Sequence, residues 1–325
     1  MIILRFLAAF VIAFFTIFIA LLARGIDRKI AARLQGRFGP PVLQPFWDVI
    51  KLMGKENIVP KNAVKWLFNG APLVGLVTVI TVLFYIPYGP LGPVFGPYGD
   101  VILILYLLTI PALSMVIGGF ASGSPYATVG AQREMVMMMS YEFPLALSII
   151  GIGWGISTFY TKGALFSLSV ISQNPLWEHL GPLGIAGLFL LLATMFAVVP
   201  AELSKIPFDA PEAETEIAEG VLVEYSGRNL AAFYLTDALK AFVISALVVT
   251  LFFPYGLGVG GFLGWILDFI FFFVKVLAVM IINITLVRVA FSRLKIDQIS
   301  YGYLVLISFV GLVGIFLIYI DKVVG

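Results

Sequence analysis

The fold is decided by runs such as LGIAGLFLLLATMFAVVPA, residues 183–201, which contains no charged side chain. A helix needs about 20 apolar residues to cross the ~30 Å of hydrocarbon in a bilayer. Because lipid offers no partners to backbone polar groups, and because these runs are too long for barrel strands, they are predicted to be helices. Seven further runs lie at 2–23, 71–88, 101–120, 143–160, 238–254, 262–288 and 303–320.

The composition of the 325-residue chain agrees with these runs. It is 61% hydrophobic and 12% charged, and its mean hydropathy is +1.06, which excludes soluble, fibrous and disordered classes. We therefore predict an all-α integral membrane protein with about eight transmembrane helices and one membrane domain over 1–325. The first run is expected to be retained as a span, because it is long for a signal peptide and lacks a clear cleavage site.

Residue types limit the chemistry that the chain can perform. It has no Cys and a single His, so it cannot supply thiolates to an iron–sulfur cluster or to a zinc site. No metal ligand and no catalytic residue is assigned, and the chain is expected to bind no cofactor of its own. Any redox cofactor is expected in partner subunits.

The distribution of Lys and Arg predicts the orientation. Of 20 such residues, 16 lie in the loops that follow odd-numbered spans, and basic residues near span ends favour the cytoplasm. The chain is therefore predicted to be a multi-pass protein of the cell membrane, with both termini outside. The predicted cytoplasmic loops are about 24–70, 121–142, 202–237 and 289–302.

Two of these loops carry opposite charges. Residues 24–65 have nine basic and three acidic side chains, whereas residues 201–240 have eight carboxylates and three basic side chains. Loops of opposite sign on one membrane face attract each other and could enclose a charged cavity. The alternative is two solvated loops that bind lipid headgroups or partner proteins.

The acidic loop contains a helical spacing. Glu212, Glu216 and Glu219 are separated by four and three residues, which predicts one stripe of a helix, and Pro207 or Pro211 could begin it. If this stripe is partly buried, its carboxylates should have raised and coupled proton affinities. Such groups can pass protons along a chain.

The spacing of apolar residues in 43–56 predicts a helix that lies along the membrane surface, because Phe46, Trp47 and Ile50 mark an apolar face. It could be an anchor or one wall of a docking site for an amphipathic molecule. Lys275, near the middle of the seventh run, is expected to face protein, water or a neighbouring subunit unless it snorkels to the surface.

The loop sequences resemble the H subunit (subunit 1 in mitochondria) of respiratory complex I, and the resemblance extends over essentially the whole chain. The first loop carries GIDRKIAARLQGRFGP at 25–40 and LQPFWD at 43–48. The second carries SGSPYA at 122–127 and GAQR at 130–133, and the third carries PFDAPEAETE at 207–216 and VEYSG at 223–227. In the fourth loop, Arg293 with Asp297 fits the same pattern.

The resemblance implies a role in one of two kinds of machine. In complex I this membrane protein forms part of the quinone chamber and passes conformational or protonic change to antiporter-like subunits. In membrane-bound nickel–iron hydrogenases and related sulfur-reducing complexes, its homologue anchors a module that uses ferredoxin electrons. Asp27, Glu134 and Glu219 depart from the complex I pattern, and Glu134 resembles hydrogenase-type relatives, whereas the third-loop motifs resemble complex I.

The leading hypothesis is a non-catalytic, ion-coupling and anchoring membrane subunit of a ferredoxin-linked hydrogenase-type or sulfur-reducing complex. Whether such a chain counts as an enzyme is left open, since redox catalysis is expected in its partners. Its expected partners are a hydrogenase-like large subunit and an iron–sulfur small subunit, which would hold the nickel–iron site and clusters, together with antiporter-like subunits and lipid, and no nucleic acid.

The hypothesis assigns two sets of residues. The proton or ion coupling set is Glu142, Glu202, Asp209, Glu212, Glu214, Glu216, Glu219, Glu224 and Lys275. The set at the redox-arm interface or chamber is Asp27, Arg28, Arg33, Arg37, Asp48, Arg133, Glu134, Arg293 and Asp297.

Two alternatives remain at this point. One is a quinone-chamber subunit of a complex I type quinone oxidoreductase, with flavin in a partner and quinone at the chamber. The other is a stand-alone secondary transporter, against which the charges lie in loops rather than at the membrane midplane. The terminal electron acceptor, and proton or sodium as the ion moved, are left open.

Overall fold

The computed structural model describes residues 2–157 and 166–324. This part of the chain is helix and loop, apart from an isolated bridge between Tyr88 and Leu91, which confirms the all-α class. Eight of its helices are long and apolar enough to cross a membrane, so the predicted number of spans is also confirmed. These spans are Ala9–Leu34, Lys65–Leu83, Val101–Ala121, Pro125–Ser157, Pro182–Glu202, Gly227–Phe252, Gly261–Ala290 and Ile296–Val323.

We number the helices in chain order. They are α1 Ile2–Leu34, α2 Gln44–Met53, α3 Lys65–Leu83, α4 Val101–Ala121, α5 Pro125–Ser157, α6 Leu168–Gln173, α7 Pro182–Glu202, α8 Glu214–Ile217, α9 Gly227–Phe252, α10 Gly261–Met280, α11 Val287–Ala290, α12 Ile296–Tyr301 and α13 Ser308–Val324. The π-helical turns Ile281–Leu286 and Gly302–Ile307 join α10 to α11 and α12 to α13. The last two spans are therefore continuous helices, each with a π-helical turn.

Helix α9 is the centre of the bundle. Its most apolar stretch is 89% buried, against 28–56% for the other spans, and it packs against α1, α2, α3 and α10. Helix α9 is therefore enclosed by neighbouring elements, among them the spans of α1, α3 and α10, as expected when each span must bury one face against another element. We call the end of the bundle at which α1 ends and α9 begins the charged end.

Three helices extend farther into the charged end than the apolar runs predicted. Helix α1 continues to Leu34, α5 begins at Pro125 rather than at 143, and α9 begins at Gly227 rather than at 238. Parts of the predicted loops 24–70, 121–142 and 202–237 are thus helical. The physical reason is that charged side chains in these turns pair with one another, so they remain compatible with a helix packed against protein.

The predicted surface helix is present as α2, with Pro45 in its first turn, where a missing N–H is tolerated. Trp47 and Ile50 are exposed, whereas Asp48 hydrogen-bonds toward α1 and α9. The predicted run 143–160 ends with residues 158–160, which lie outside the described residues.

Candidate functional site

A buried ion pair lies at the centre of the charged end. The Nζ atom of Lys240, in α9, is 2.8 Å from Oε1 of Glu202 at the end of α7, and the side chains are 8% and 2% exposed. Lys240 also donates to the backbone carbonyl of Glu202 over 2.7 Å. A buried charge is stable only when paired and hydrogen-bonded, so each residue requires the other.

Two further carboxylates on α5 surround this pair. Glu134 is buried and accepts a hydrogen bond of 3.1 Å from the Ser204 hydroxyl. Glu142 is about two turns farther along α5, and it interacts electrostatically with Glu202 and Lys240. We call Glu134, Glu142, Glu202 and Lys240 the inner cluster; it contains three carboxylates and one ammonium group.

A second set of polar contacts lies between the inner cluster and the surface helix. Asp237 lies 2.9 Å from Arg24 of α1 and 2.8 Å from Lys205. The Arg24 guanidinium carbon stands 3.7 Å from the centroid of the Tyr234 ring, a cation–π contact. The Tyr234 hydroxyl donates to Asp48 of α2 over 3.3 Å. These contacts connect α1, α2 and α9.

Asp48 is held in its ionised form. It accepts hydrogen bonds from Arg28 at 3.0 Å and from Gln44 at 2.9 Å. Burial acts to raise the pKa of Asp48, but these hydrogen bonds and the Arg28 charge outweigh it, so the pKa lies below the ordinary value. The carboxylate therefore acts as a fixed negative charge near neutral pH.

Glu212 behaves in the opposite way. Burial raises the pKa of Glu212 to about 7, and the negative charges of Asp237 and Asp209 add to this, while Lys205 and Arg24 partly offset it. A carboxyl group with this pKa is about half ionised at neutral pH. Glu212 can therefore gain or lose a proton when the surrounding charge changes slightly.

Two cavities meet at Glu212. An inner cavity of about 100 Å³ is lined by Glu134, Glu202, Lys240 and Asp237, which is room for several waters. An outer pocket of about 380 Å³ lies beneath α2. Both cavities share the side chains of Glu212, Leu222, Leu230 and Tyr234. Glu212 is thus the carboxylate that lines both the pocket under α2 and the cavity around the inner cluster.

The predicted helical stripe in the acidic loop is wrong. Glu212 lies in a single turn, Ala210–Glu212, Glu216 lies in the four-residue helix α8, and Ala218 and Glu219 have left-handed backbone conformations. The extended backbone of Ala213 separates the two turns, so no continuous helix forms. Glu214, Glu216 and Glu219 are exposed, so only Glu212 of this set has the predicted burial.

Arginines from two other segments fix the acidic loop instead. Arg293 lies 2.5 Å from the Asp209 carboxylate and donates to the Thr215 hydroxyl over 3.1 Å. Arg133 of α5 lies 2.7 Å from Glu216 and donates to the Ala210 carbonyl over 3.2 Å. These ion pairs determine the course of the segment, which explains why helical spacing failed to predict it.

Comparison with known proteins identifies the family to which this site belongs. A family model described as NADH dehydrogenase matches residues 6–319. The chain belongs to the H-subunit family of complex I.

Two relatives that are H subunits of NADH-quinone oxidoreductase support the assignment. The NADH-quinone oxidoreductase H subunit of Thermomicrobium roseum is 32% identical over 273 residues, which is 76% of this chain and 78% of the relative. The corresponding protein of Geobacillus kaustophilus is 34% identical over 285 residues, 84% of this chain and 80% of the relative. The chain is therefore a multi-pass membrane subunit of the complex I type.

A solved structure gives a second comparison. A chain of the membrane-bound sulfane sulfur reductase, an archaeal respiratory membrane complex, superposes with a TM-score of 0.83 and 30% sequence identity. The match covers 97% of this chain and 99% of that chain. The family relatives and this neighbour are subunits of multi-subunit membrane respiratory complexes, in which cofactors belong to partner subunits.

Several predicted site residues of this family member lie apart from the inner cluster. Asp27 pairs with Arg288 at 3.0 Å and accepts from Thr285 at 2.6 Å, so it joins α1 to the last part of the seventh span. The exposed set comprises Arg33, Arg37, Glu214, Glu219 and Asp297, and Glu224 is half-buried.

Lys275 is also separate from the carboxylates. Its Nζ donates to the backbone carbonyls of Phe253 and Tyr255 over 2.7 and 2.6 Å, just beyond the end of α9. Along the axis of α9, Lys240 and Phe253 are separated by roughly 20 Å. Lys275 therefore faces protein, but at the end of the bundle opposite the inner cluster.

Sequence reasoning missed several residues of the site, three of them basic. Lys240, Lys205, Arg24, Asp237 and Tyr234 were not among the predicted site residues, yet they line the inner cavity. A signal was available, because Asp237 and Lys240 are three residues apart at the start of an apolar run. Charged side chains in that position must face protein or water.

Proposed function

We propose that the chain is a non-catalytic coupling and anchoring subunit of a respiratory redox complex, which links reactions in a peripheral arm to ion translocation. The observation that carries this proposal is the succession of carboxylates from the surface helix into the bundle. Glu212 leads from the outer pocket to Glu134, and Glu202 and Glu142 follow around Lys240. A simple anchor has no need for three carboxylates in the bundle interior.

The charges suggest how coupling would work. A change of charge at the outer pocket would act first on Glu212, since its pKa of about 7 makes its protonation sensitive to small changes. The proton gained or lost there would pass through the inner cavity to Glu134. The ion pairing of Lys240 would then shift among Glu202, Glu134 and Glu142, because one ammonium group cannot pair equally with three carboxylates.

We further propose that the charged end faces the cytoplasm and binds the peripheral arm. The excess of Lys and Arg in the loops at this end supports the orientation. Exposed Arg33 and Arg37, which have no ion-pair partner among the described residues, would contact the arm. Glu142 would pass the response to antiporter-like membrane subunits.

The type of complex is the finer part of the proposal. Similarity to the sulfane sulfur reductase chain over nearly its full length favours a ferredoxin-linked sulfur-reducing or hydrogenase-type complex. A second candidate, the quinone-chamber subunit, is favoured by the outer pocket of about 380 Å³ beneath the amphipathic α2 and by the relatives named as components of NADH-quinone oxidoreductase. Complexes of several subunits argue against a stand-alone transporter.

Purification of the native complex in mild detergent tests this proposal. Its subunits are identified by mass spectrometry, and nickel, flavin and quinone are measured in the same sample. A stoichiometric nickel-bearing large subunit indicates a hydrogenase, and the same architecture without nickel indicates sulfur reduction. Stoichiometric quinone supports the second candidate, and a chain that purifies alone overturns the coupling role.

Ion coupling is tested in the same complex with Glu142→Gln. We expect electron input to the arm to persist while the ion gradient is lost, because glutamine cannot exchange a proton. The control is Glu56→Gln, an exposed carboxylate outside the inner cluster. An unchanged gradient in Glu142→Gln contradicts the proposed role of that residue.

A further inference from the structure

A groove on the outside of the bundle lies apart from the carboxylate site. It runs between α3 and α9 beside the end of α2, and it has a volume of about 600 Å³. Its α3 wall is Asn69, Leu73 and Leu76, and its α9 wall includes Arg228, Ala232 and Leu235. Each wall repeats at i, i+4 and i+7, so the groove follows the axes of both helices.

Polarity changes in the same direction along both walls. Asn69 and Arg228 lie near the beginnings of their spans, and the leucines lie deeper in the bundle, since both helices start at the charged end. Trp66 in the first turn of α3 is 75% exposed, which is typical of a residue at the membrane interface. The groove is therefore polar at the level of lipid headgroups and apolar at the level of acyl chains.

The polar end contains a charge without an ion-pair partner and an oxygen without a hydrogen-bond donor, both among the described residues. Arg228 is exposed and has no ion-pair partner among the described residues. Asn69 Oδ1 accepts from the amides of Asn57 at 3.0 Å and Asn229 at 2.7 Å. The Oδ1 atom of Asn57 is buried and has no hydrogen-bond partner in the part of the chain that the structure describes, so it can accept from a hydroxyl or an ammonium group.

The backbone around this end is preformed. The Ile58 N–H donates to the Ser226 hydroxyl over 3.0 Å, which ties the chain after α2 to the start of α9. Gly227 has φ +54°, and a Cβ there would lie 2.5 Å from the carbonyl oxygen of Glu56. The close approach that glycine permits holds Asn57 against Asn69, so the groove does not depend on an occupant to form.

We propose that this groove binds a membrane glycerophospholipid. Its phosphate would pair with Arg228, its glycerol or headgroup hydroxyls would donate to Asn57, and an acyl chain would lie along Leu73, Leu76 and Leu235. A guanidinium group is well suited to phosphate, and basic pockets between spanning helices recognise anionic headgroups. A quinone is a poorer fit, because its neutral ring leaves Arg228 without a counter-charge.

The test uses the whole complex in liposomes that contain phosphatidylglycerol with a photoactivatable acyl chain. After irradiation, labelled peptides are mapped by mass spectrometry. We expect labels on α3 and α9 at Leu73, Leu76 and Leu235. In Arg228→Gln the labelling should fall about fivefold, and Leu73→Trp should reduce it by blocking the groove.

Two matched variants are the controls. Val74→Trp changes a neighbouring exposed position of α3 that does not line the groove, and Lys61→Gln removes an exposed charge from the adjacent loop. Both should retain full labelling. Equal labelling in all four variants overturns the proposal, and so does a photoactivatable quinone that labels the groove when the phospholipid does not. If Arg228→Gln fails to assemble, the wild-type map and the Leu73→Trp and Val74→Trp pair still decide.

Discussion

Two carboxylate-rich regions of this membrane protein differ in one respect. The inner cluster places Glu134 and Glu202 in the bundle interior, where Lys240 and Ser204 partner them. The acidic segment, residues 209–219, has more carboxylates, but Glu214 and most of its neighbours are exposed. The number of carboxylates in a segment therefore does not by itself identify residues suited to the proposed coupling. Burial and the choice of partner decide which carboxylates can respond.

The largest effect should come from removing the one buried cation of the inner cluster. Lys240→Met leaves the Glu202 charge buried and unpaired, which should destabilise the chain by about 3–5 kcal/mol. The measurement is the temperature at which the complex loses this chain on a native gel. The double variant Lys240→Met with Glu202→Gln should recover much of the loss, since the Glu202 carboxylate, which is the direct partner of Lys240, is no longer left charged and unpaired.

Lys61→Met, which removes an exposed charge, serves as the comparison for Lys240→Met. The account of the inner cluster is contradicted if Lys240→Met assembles as stably as wild type, or if the double variant is less stable than the single one.

The next effect concerns Glu212, which lies between the two regions. Its pKa of about 7, against an ordinary 4.5, means that the folded chain retains a proton which the unfolded chain releases. Stability from this group is therefore present below about pH 4.5 and falls as the pH rises through about 7. Glu212→Gln should flatten this part of the profile, measured as thermal loss of the chain from the complex at a series of pH values.

The effect of Asp48 on stability has the opposite sign. Because its pKa is lowered, its stabilising contribution is fully present above about pH 3.8 and is lost only at more acidic pH. It therefore serves as the internal control for the Glu212 profile. An identical slope between about pH 4.5 and 7 in wild type and Glu212→Gln would show that another group is responsible.

A smaller effect is expected where the two regions are connected. Arg133→Gln breaks the partly exposed pair with Glu216, which should cost about 1 kcal/mol or less. The acidic segment should become more sensitive to limited proteolysis, while the inner cluster keeps its contacts. Lys61→Gln, which removes an exposed charge before α3, provides a control with the same loss of charge. Equal protection of residues 209–219 in both variants would argue against this connection.

The smallest effect belongs to the exposed carboxylates. Glu214→Gln and Glu219→Gln should each change stability by less than about 0.5 kcal/mol, and ion translocation should remain within error of wild type. The measurement is gradient formation by the complex in proteoliposomes. A large loss in either variant would mean that the exposed part of the segment also couples, and the contrast with the inner cluster would disappear.

The sequence was sufficient for the membrane architecture and insufficient for the site. Apolar runs predicted the eight spans, because lipid imposes one simple requirement on length and polarity. They failed to predict that α5 and α9 begin at Pro125 and Gly227. Polar residues within these extensions, such as Asn229 and Arg133, pair with residues that are distant in the sequence, and no local pattern contains that information.

Pairing across long stretches of sequence also explains why site residues such as Lys240 were missed and why the helical stripe predicted in the acidic loop was wrong. Lys240 and Glu202 are 38 positions apart, and Arg133 reaches Glu216 across 83 positions. Spacing along the chain cannot show such pairs. The proposed coupling set contained Glu142, Glu202 and Glu212 together with six further residues. The structure brings these three to one end of the bundle, whereas Glu214, Glu216 and Glu219 are exposed and Lys275 lies at the opposite end, and the role of the set in coupling remains a prediction.

The most direct test of the central claim is the number of ions moved per electron by the complex in proteoliposomes with Glu134→Gln. Glutamine keeps the size of the side chain and can still accept from Ser204, but it cannot exchange a proton. We expect electron transfer to continue while the gradient falls at least about tenfold, with Glu56→Gln unchanged. A normal gradient in Glu134→Gln would contradict the claim that ions are coupled through the inner cluster.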